Sequence, residues 1–365
     1  MPQSPRSIFP IRSRVLIVGG AGYIGSVLAR RLLDDGYQVR VFDALFYGAG
    51  SLAGLEKQPW FDLVVGDTRD PRAVDEALAN VDAVVHLGEL VGDPACAVDP
   101  ALTHEINVAA TRRLLRRARD LGVRRFVYPS SCSVYGANDQ IVDEESAPNP
   151  VSLYAESKVL AEEAVAQVSG DGMETVILRL ATVYGLSPRP RFDLVVNLFA
   201  ARGVVDRRIV VHGGDQWRPF VHVADAADAM VAAIEADGSV VDGRVFNVGT
   251  DAQNRTIGEV AEIVRARVPG AEMQVADIDD QRNYRVSFER IATDLGFQPS
   301  RTLEDGIAEI QAAIDTRRIR DYRDARYSNV RTVRGGLPVV VPVRPAAIRV
   351  GGVAAVGDPE AQLAG

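Results

Sequence analysis

Tyr154 and Lys158 stand four residues apart in Tyr-Ala-Glu-Ser-Lys. On a helix that spacing puts two side chains on one face, so a phenol and an ammonium point into the same space. A free phenol has a pKa of about 10. A nearby cation favours the phenolate and makes the tyrosine usable as a proton acceptor near neutral pH. Upstream lies a glycine-rich loop, Gly19-Gly-Ala-Gly-Tyr-Ile-Gly25. Glycine permits a tight turn and lets backbone N–H groups approach a pyrophosphate at a helix N-terminus. A loop that holds a dinucleotide and a tyrosine that takes a proton from an alcohol together describe hydride transfer at a carbon bearing oxygen.

These residues need elements to position them. From Arg14 onward the chain alternates short apolar runs with helical periods. Residues 15–18 read as a buried strand. Ile24, Val27, Leu28 and Leu32 then trace a helical stripe, which Gly36 is placed to end. Further strands are expected at 39–42, 63–65, 83–87, 125–128, 176–180 and 245–248. Helices are expected over 71–79, 103–121, 154–168, 223–236 and 257–267. This alternation implies an α/β fold, a Rossmann-type doubly wound parallel sheet covered on both faces. The expected organisation is a polar tail over 1–13 and a dinucleotide-binding domain over 14–180, to which 223–249 return. A smaller α/β substrate-binding lobe is built from 181–222 and 250–320. Residues 321–365 form a C-terminal arm or tail, whose segment Leu337-Pro-Val-Val-Val-Pro-Val343 could dock on a partner subunit.

The carboxyl ends of the strands gather the candidate cofactor ligands. Gly19, Gly22 and Gly25, with Tyr23 and Ile24 between them, follow the first strand and open the first helix. Asp43 ends the second strand. A carboxylate there accepts hydrogen bonds from an adenosine ribose and repels a 2′-phosphate, which favours NAD over NADP. Asp67 and Thr68 follow the third strand, near the adenine, although Asp67 also reads as a helix cap before Pro71. Leu87, Gly88 and Glu89 follow the fourth strand and flank the cofactor. The fifth strand runs into Pro129-Ser-Ser-Cys-Ser-Val-Tyr-Gly136, where a hydroxyl at a parallel strand's carboxyl end faces the ligand crevice. Pro129 donates no ladder hydrogen bond, so it belongs at the strand's end.

The glycine loop, Ser-Ser-x-x-Val-Tyr-Gly, Tyr-x-x-x-Lys and Arg218-Pro-Phe-Val-His-Val-Ala-Asp225 occur together. The combination resembles the extended short-chain dehydrogenase/reductase superfamily, in its NAD-dependent nucleotide-sugar epimerase/dehydratase branch, over roughly residues 14–315. The resemblance implies NAD as cofactor and a nucleotide-diphosphate sugar as substrate. It implies Tyr154 as catalytic base and acid, and Lys158 as the group that lowers its pKa and binds the nicotinamide ribose. Ser131 becomes the catalytic hydroxyl, with Cys132 and Ser133 beside the sugar. Arg218 and Arg282 become diphosphate-binding arginines and Asn197 a further diphosphate contact. Relatives often pair through two long helices, here 103–121 and 154–168, so a homodimer is expected.

The two positions after the serine bear on reaction type. Dehydratase members carry Asp-Glu there, whereas this chain carries Cys132 and Ser133. Without a carboxylate pair, elimination lacks its general acid and base. The expected activity is epimerisation, at C4 first of all, through a transient 4-keto sugar. A nucleotide-sugar 4-ketoreductase and a UDP-glucuronate decarboxylase are alternatives. A non-catalytic NAD-binding regulatory or scaffold protein is the alternative from another class. The resemblance offers Cys132 as a proton-transfer base, since related 3,5-epimerases carry such a cysteine one position later, whereas a buried cysteine by itself reads as a small apolar filler. Glu89, where many relatives carry alanine, brings a carboxylate close to cofactor or sugar.

Composition narrows the remaining classes. Hydrophobic residues make up 47% and charged residues 25%, ordinary for a globular protein. A net charge of −8 and a pI near 5.2 argue against a nucleic-acid partner. Cys96 and Cys132 form no CxxC pair and the four histidines show no ligand spacing, so no metal site is expected. Residues 1–14 lack an apolar stretch of signal-peptide length. No uninterrupted apolar run of membrane-spanning length occurs, and a cytoplasmic location is expected.

Overall fold

The computed structural model describes residues 12–276 and 282–337. In chain order its strands are β1 Arg14–Val18, β2 Gln38–Asp43, β3 Phe61–Val65, β4 Ala83–His86, β5 Arg125–Ser131, β6 Ala137–Val142, β7 Glu174–Leu180, β8 Thr182–Tyr184, β9 Arg208–His212, β10 Trp217–His222, β11 Arg244–Val248, β12 Asn254–Thr256, β13 Glu272–Ala276 and β14 Asn283–Val286. Seven of them form one sheet in the order β11-β7-β5-β4-β1-β2-β3, and all of its pairings are parallel. From β1 the chain steps outward through β2 to β3, then crosses back to β4 and builds the other way. The reversal leaves a crevice beyond the carboxyl ends of β1 and β4, the place where such sheets bind ligands.

Both faces of the sheet are buried, as a parallel sheet requires. Val15 and Ile17 of β1 face one core with Leu28 and Leu32 of the helix Gly25–Asp34 and Met230 of the helix Val223–Glu235. Leu16 and Val18 face the other, with Val74 of Pro71–Leu78, Leu114 of Thr111–Asp120 and Ala161 of Leu153–Ala166. Asp70 caps the helix that starts at Pro71 by accepting from the Arg72 N–H. Ser152 caps the helix carrying Tyr154 and Lys158 by accepting from the Ala155 N–H.

One expected helix differs in form. The stretch read as 103–121 comprises Pro100–His104, a π-helical segment Glu105–Ala110, and Thr111–Asp120. The wider turn aims Asn107 back at Leu90, where its amide binds both backbone groups of that residue. Such segments cluster at functional sites. Leu114, Leu115, Ala118, Ala161, Ala164 and Val165, apolar residues of the two helices offered to a partner copy, are buried within the subunit.

A smaller lobe covers the crevice. It contains a sheet β12-β10-β8, the pair β13-β9 and the pair β14-β6, with the helices Val195–Asp206, Ile257–Arg267 and Leu303–Asp315 around a separate core. The described end of the chain folds onto the same opening. Phe192 N donates to Tyr327 O, Asn329 N to the Asp193 carboxylate, and the Asn329 amide to Val91 O. Val333 packs with Leu90, Cys96 and Ile106. Residues 1–11, 277–281 and 338–365, which include most of the polar tail and of the valine-rich segment, lie outside the described residues. No helix among the described residues is long and apolar enough to cross a membrane.

Candidate active site

The glycine loop is forced by close approach. Gly19 has φ +80°, and a Cβ there would lie 2.6 Å from the backbone of Leu87. A Cβ on Gly25 would lie 2.5 Å from the Gly19 carbonyl oxygen. Only glycine fits both contacts. The loop opens onto a cavity of about 500 Å³. Its walls include Gly19, Gly22, Tyr23, Ile24 and Gly25 on one side, Leu87 and Glu89 beyond β4, and Ser131, Ser133 and Tyr154 beyond β5. Arg218 and Arg282 line the same cavity from the lobe.

A smaller pocket adjoins it at Gly19, Gly22, Leu87 and Glu89, and contains Asp43, Asp67, Thr68 and Gly88. Asp43 accepts from Ala21 N at 2.9 Å and from Leu45 N at 2.7 Å. Burial pushes its pKa up, and these two bonds oppose the rise. Asp67 is held by the Arg69 guanidinium, with a shortest contact of 2.7 Å. The helix cap before Pro71 is Asp70 rather than Asp67, so Asp67 remains at the pocket. The cradle of glycines, the amides at a helix start and the carboxylate at the end of β2 fit an adenine dinucleotide.

Tyr154 and Lys158 share a helix face, but the lysine is engaged. Its Nζ lies 2.6 Å from Glu89 Oε2 and donates to Pro129 O at 2.8 Å. Glu89 is itself buried, and its other oxygen accepts from Tyr128 Oη at 2.8 Å. The Tyr154 pKa is consequently raised, by burial first and then by the negative charge of Glu89. A hydrogen bond with Ser131 works the other way. This differs from the sequence expectation that Lys158 simply lowers it, because the lysine charge is answered by a carboxylate next door. Pro129 lies inside β5, beyond Val127, the last residue of that strand paired with β4. Its carbonyl is there to receive Lys158. His86, beneath this group, is held down to about 4 by burial and bonds Thr111 Oγ1 at 2.8 Å.

Two candidates face elsewhere. Cys132 opens a short 3-10 turn and points into the core, donating to Arg179 O at 3.2 Å. Burial pushes its thiol pKa up, so it packs as a small apolar group. Asn197 does not line the cavity. It is buried in the lobe, where its oxygen accepts from Gly185 N at 2.9 Å and its nitrogen donates to Gly185 O and Arg191 O. Arg218 donates to the carbonyls of Trp217 and Arg282, and Arg282 reaches Asp93 at 2.7 Å.

Other residues at the site carry little local signal in the sequence. Asn107 fixes the segment after β4. Arg189, Arg191, Asp193 and Tyr47 line the cavity. The charge pattern Arg189-Pro-Arg191-Phe-Asp193 after a strand was the available hint.

Residues 15–249 match the NAD dependent epimerase/dehydratase family. The chain belongs to that family. It is 32% identical over 306 residues to a UDP-glucose 4-epimerase of Mycolicibacterium smegmatis, covering 81% of this chain and 96% of the relative. It is 31% identical to UDP-glucuronic acid decarboxylase 1 of Arabidopsis thaliana, covering 81% and 68%. The fold superimposes on DesIV, a dTDP-glucose 4,6-dehydratase of Streptomyces venezuelae solved with NAD and TYD bound. That match has a TM-score of 0.75 and 26% identity, covering 83% of this chain and 98% of that one. The protein is thus an NAD-dependent enzyme of the nucleotide-sugar epimerase/dehydratase class, and its cofactor is NAD.

Proposed function

We propose that the protein is a nucleotide-sugar epimerase acting at C4 through a transient 4-keto sugar. The observation that carries the reading is the make-up of one cavity. Ser131, Ser133 and Tyr154 stand opposite the glycine loop, and positions 132 and 133 hold no carboxylate. Bound NAD supplies a hydride acceptor that becomes the donor within the same turnover. Tyr154 takes the hydroxyl proton at its phenolic oxygen and later returns it to the ketone oxygen. Ser131 hydrogen-bonds that same oxygen and holds it against the phenol. Lys158 supplies the positive charge, and Glu89 sets how much of it the phenol feels. Arg218 and Arg282 hold the diphosphate, so a sugar tethered at that end can turn and present its other face. The described C-terminal helix, Asn329–Arg334, narrows the opening and keeps bulk water from the ketone.

The similarity to a UDP-glucose 4-epimerase supports this reading. Purified protein incubated with UDP-glucose, UDP-galactose or UDP-glucuronate, without added reductant, is expected to interconvert a C4 pair, seen in the anomeric proton spectrum. Turnover that consumes NADH stoichiometrically would make it a ketoreductase, and release of CO₂ a decarboxylase. Binding and biological activity that both survive Tyr154→Phe would leave a scaffold. The reading includes a homodimer, which a single monomer species in sedimentation at micromolar protein would exclude.

A further inference from the structure

Arg189 is a buried cation that bonds no carboxylate through one edge among the described residues, although Asp193 and Asp43 are close enough to raise its pKa. The residue is 6% exposed, and among the described residues its Nε and Nη2 have no hydrogen-bond partner. These two nitrogens form one edge of the guanidinium, the edge that grips two oxygens of a carboxylate or phosphate side by side. Its guanidinium carbon lies 3.9 Å from the centre of the Tyr47 ring. A cation–π contact does not replace the hydrogen bonds that burial removes. Burial and the charge of Arg191 together pull its pKa down to about 10. Arg191 is already bonded to Asp193 at 2.9 Å. Buried donors left open in this way call for an explanation.

The position of the open edge suggests its ligand. Arg189 N donates to Ser187 Oγ, and Ser187 Oγ donates to Tyr23 O at 2.6 Å. The turn from the lobe is therefore fastened directly to the glycine loop where the first helix begins. On its other side Arg189 lies over Tyr47, in the loop that follows Asp43. The guanidinium thus sits between the glycine loop, which cradles the diphosphate, and the loop that follows Asp43.

We propose that Arg189 is a second ligand of the cofactor diphosphate, reaching from the sugar-nucleotide lobe to grip oxygens that the glycine loop holds from the opposite side. Binding of the dinucleotide then ties the lobe to the main sheet through one side chain. This contact requires only that the chain binds NAD, whichever sugar reacts.

The test uses the full chain stripped of cofactor, with three probes measured by calorimetry. ADP-ribose carries the diphosphate, adenosine lacks it, and UDP stands for the sugar nucleotide. Arg189→Ala is expected to weaken ADP-ribose binding by at least tenfold while adenosine and UDP bind as in the wild type. Arg189→Lys, which keeps the charge but loses the fork, is expected to fall between. Its unfolding temperature shows that the fold is intact even if the alanine variant does not fold. Wild-type ADP-ribose affinity in a folded Arg189 variant would overturn the proposal. A loss confined to UDP would overturn it too, assigning the arginine to the substrate instead.

Discussion

Two buried arginines at the same end of the sheet are treated in opposite ways. Arg179, in β7, is fully answered. It donates to both Glu162 oxygens, with a shortest contact of 2.7 Å, and to Tyr135 Oη at 2.9 Å. Glu162 in turn accepts from Ser130, and Tyr135 donates to Asn247. Burial alone would lower the Arg179 pKa, yet the bonds to Glu162 hold it above the ordinary arginine value. Arg189 has the stacking ring of Tyr47 and, among the described residues, no acceptor on one whole edge. The first network is complete within the chain and props the loop that carries Ser131. The second group is complete only when something negative arrives. A saturated buried charge marks scaffold, and an unsaturated one marks a place for a ligand.

The sharpest way to break this contrast is to remove catalytic and scaffold groups in turn and ask what is lost. Tyr154→Phe is expected to reduce kcat by about 10²–10⁴-fold, with an unchanged unfolding midpoint in urea. Arg179→Met leaves Glu162 buried without its cation. It is expected to destabilise the fold by about 3–5 kcal/mol, read from the same urea titration, with activity lost only as the protein unfolds. If Arg179→Met proves as stable as the wild type, the scaffold half of the comparison is wrong.

Smaller effects sharpen the boundary between the two regions. Gly25→Ala places a methyl against the Gly19 carbonyl oxygen. It is expected to cost about 1–3 kcal/mol through crowding and to lower the amount of NAD that co-purifies, measured by absorbance of the heat-released nucleotide. Glu89→Gln has the mildest expected outcome. Tyr154 acts deprotonated, so the rate rises as pH climbs through its pKa, which burial and the Glu89 charge hold high. Removing that charge lowers the pKa. The acid limb of the kcat/KM profile should then move to lower pH, and an unmoved limb would show that Glu89 does not act on the phenol.

What the sequence revealed follows from how local each constraint is. The glycine loop was legible because a turn that packs against its own strand and helix excludes every side chain, and this restriction falls on a few consecutive residues. Tyr154 and Lys158 were legible because a helix fixes the face they share. The Lys158–Glu89 pair was not, since it joins a helix to the loop after β4 through tertiary packing. Cys132 and Asn197 were placed beside substrate by resemblance. The short turn after β5 directs the thiol inward, and the Asn197 amide is consumed in holding Gly185 and Arg191. The open edge of Arg189 is defined by Tyr47 and the Ser187 turn, contacts that one loop's sequence does not specify.

The most direct test of the account follows a deuterium placed at C4 of the sugar nucleotide that the enzyme turns over. If the hydrogen leaves and returns as hydride within one bound complex, the epimerised product keeps the deuterium at C4 in ordinary water, and Tyr154→Phe abolishes its formation. Deuterium washed out into solvent, or labelled product formed equally fast by Tyr154→Phe, would contradict it.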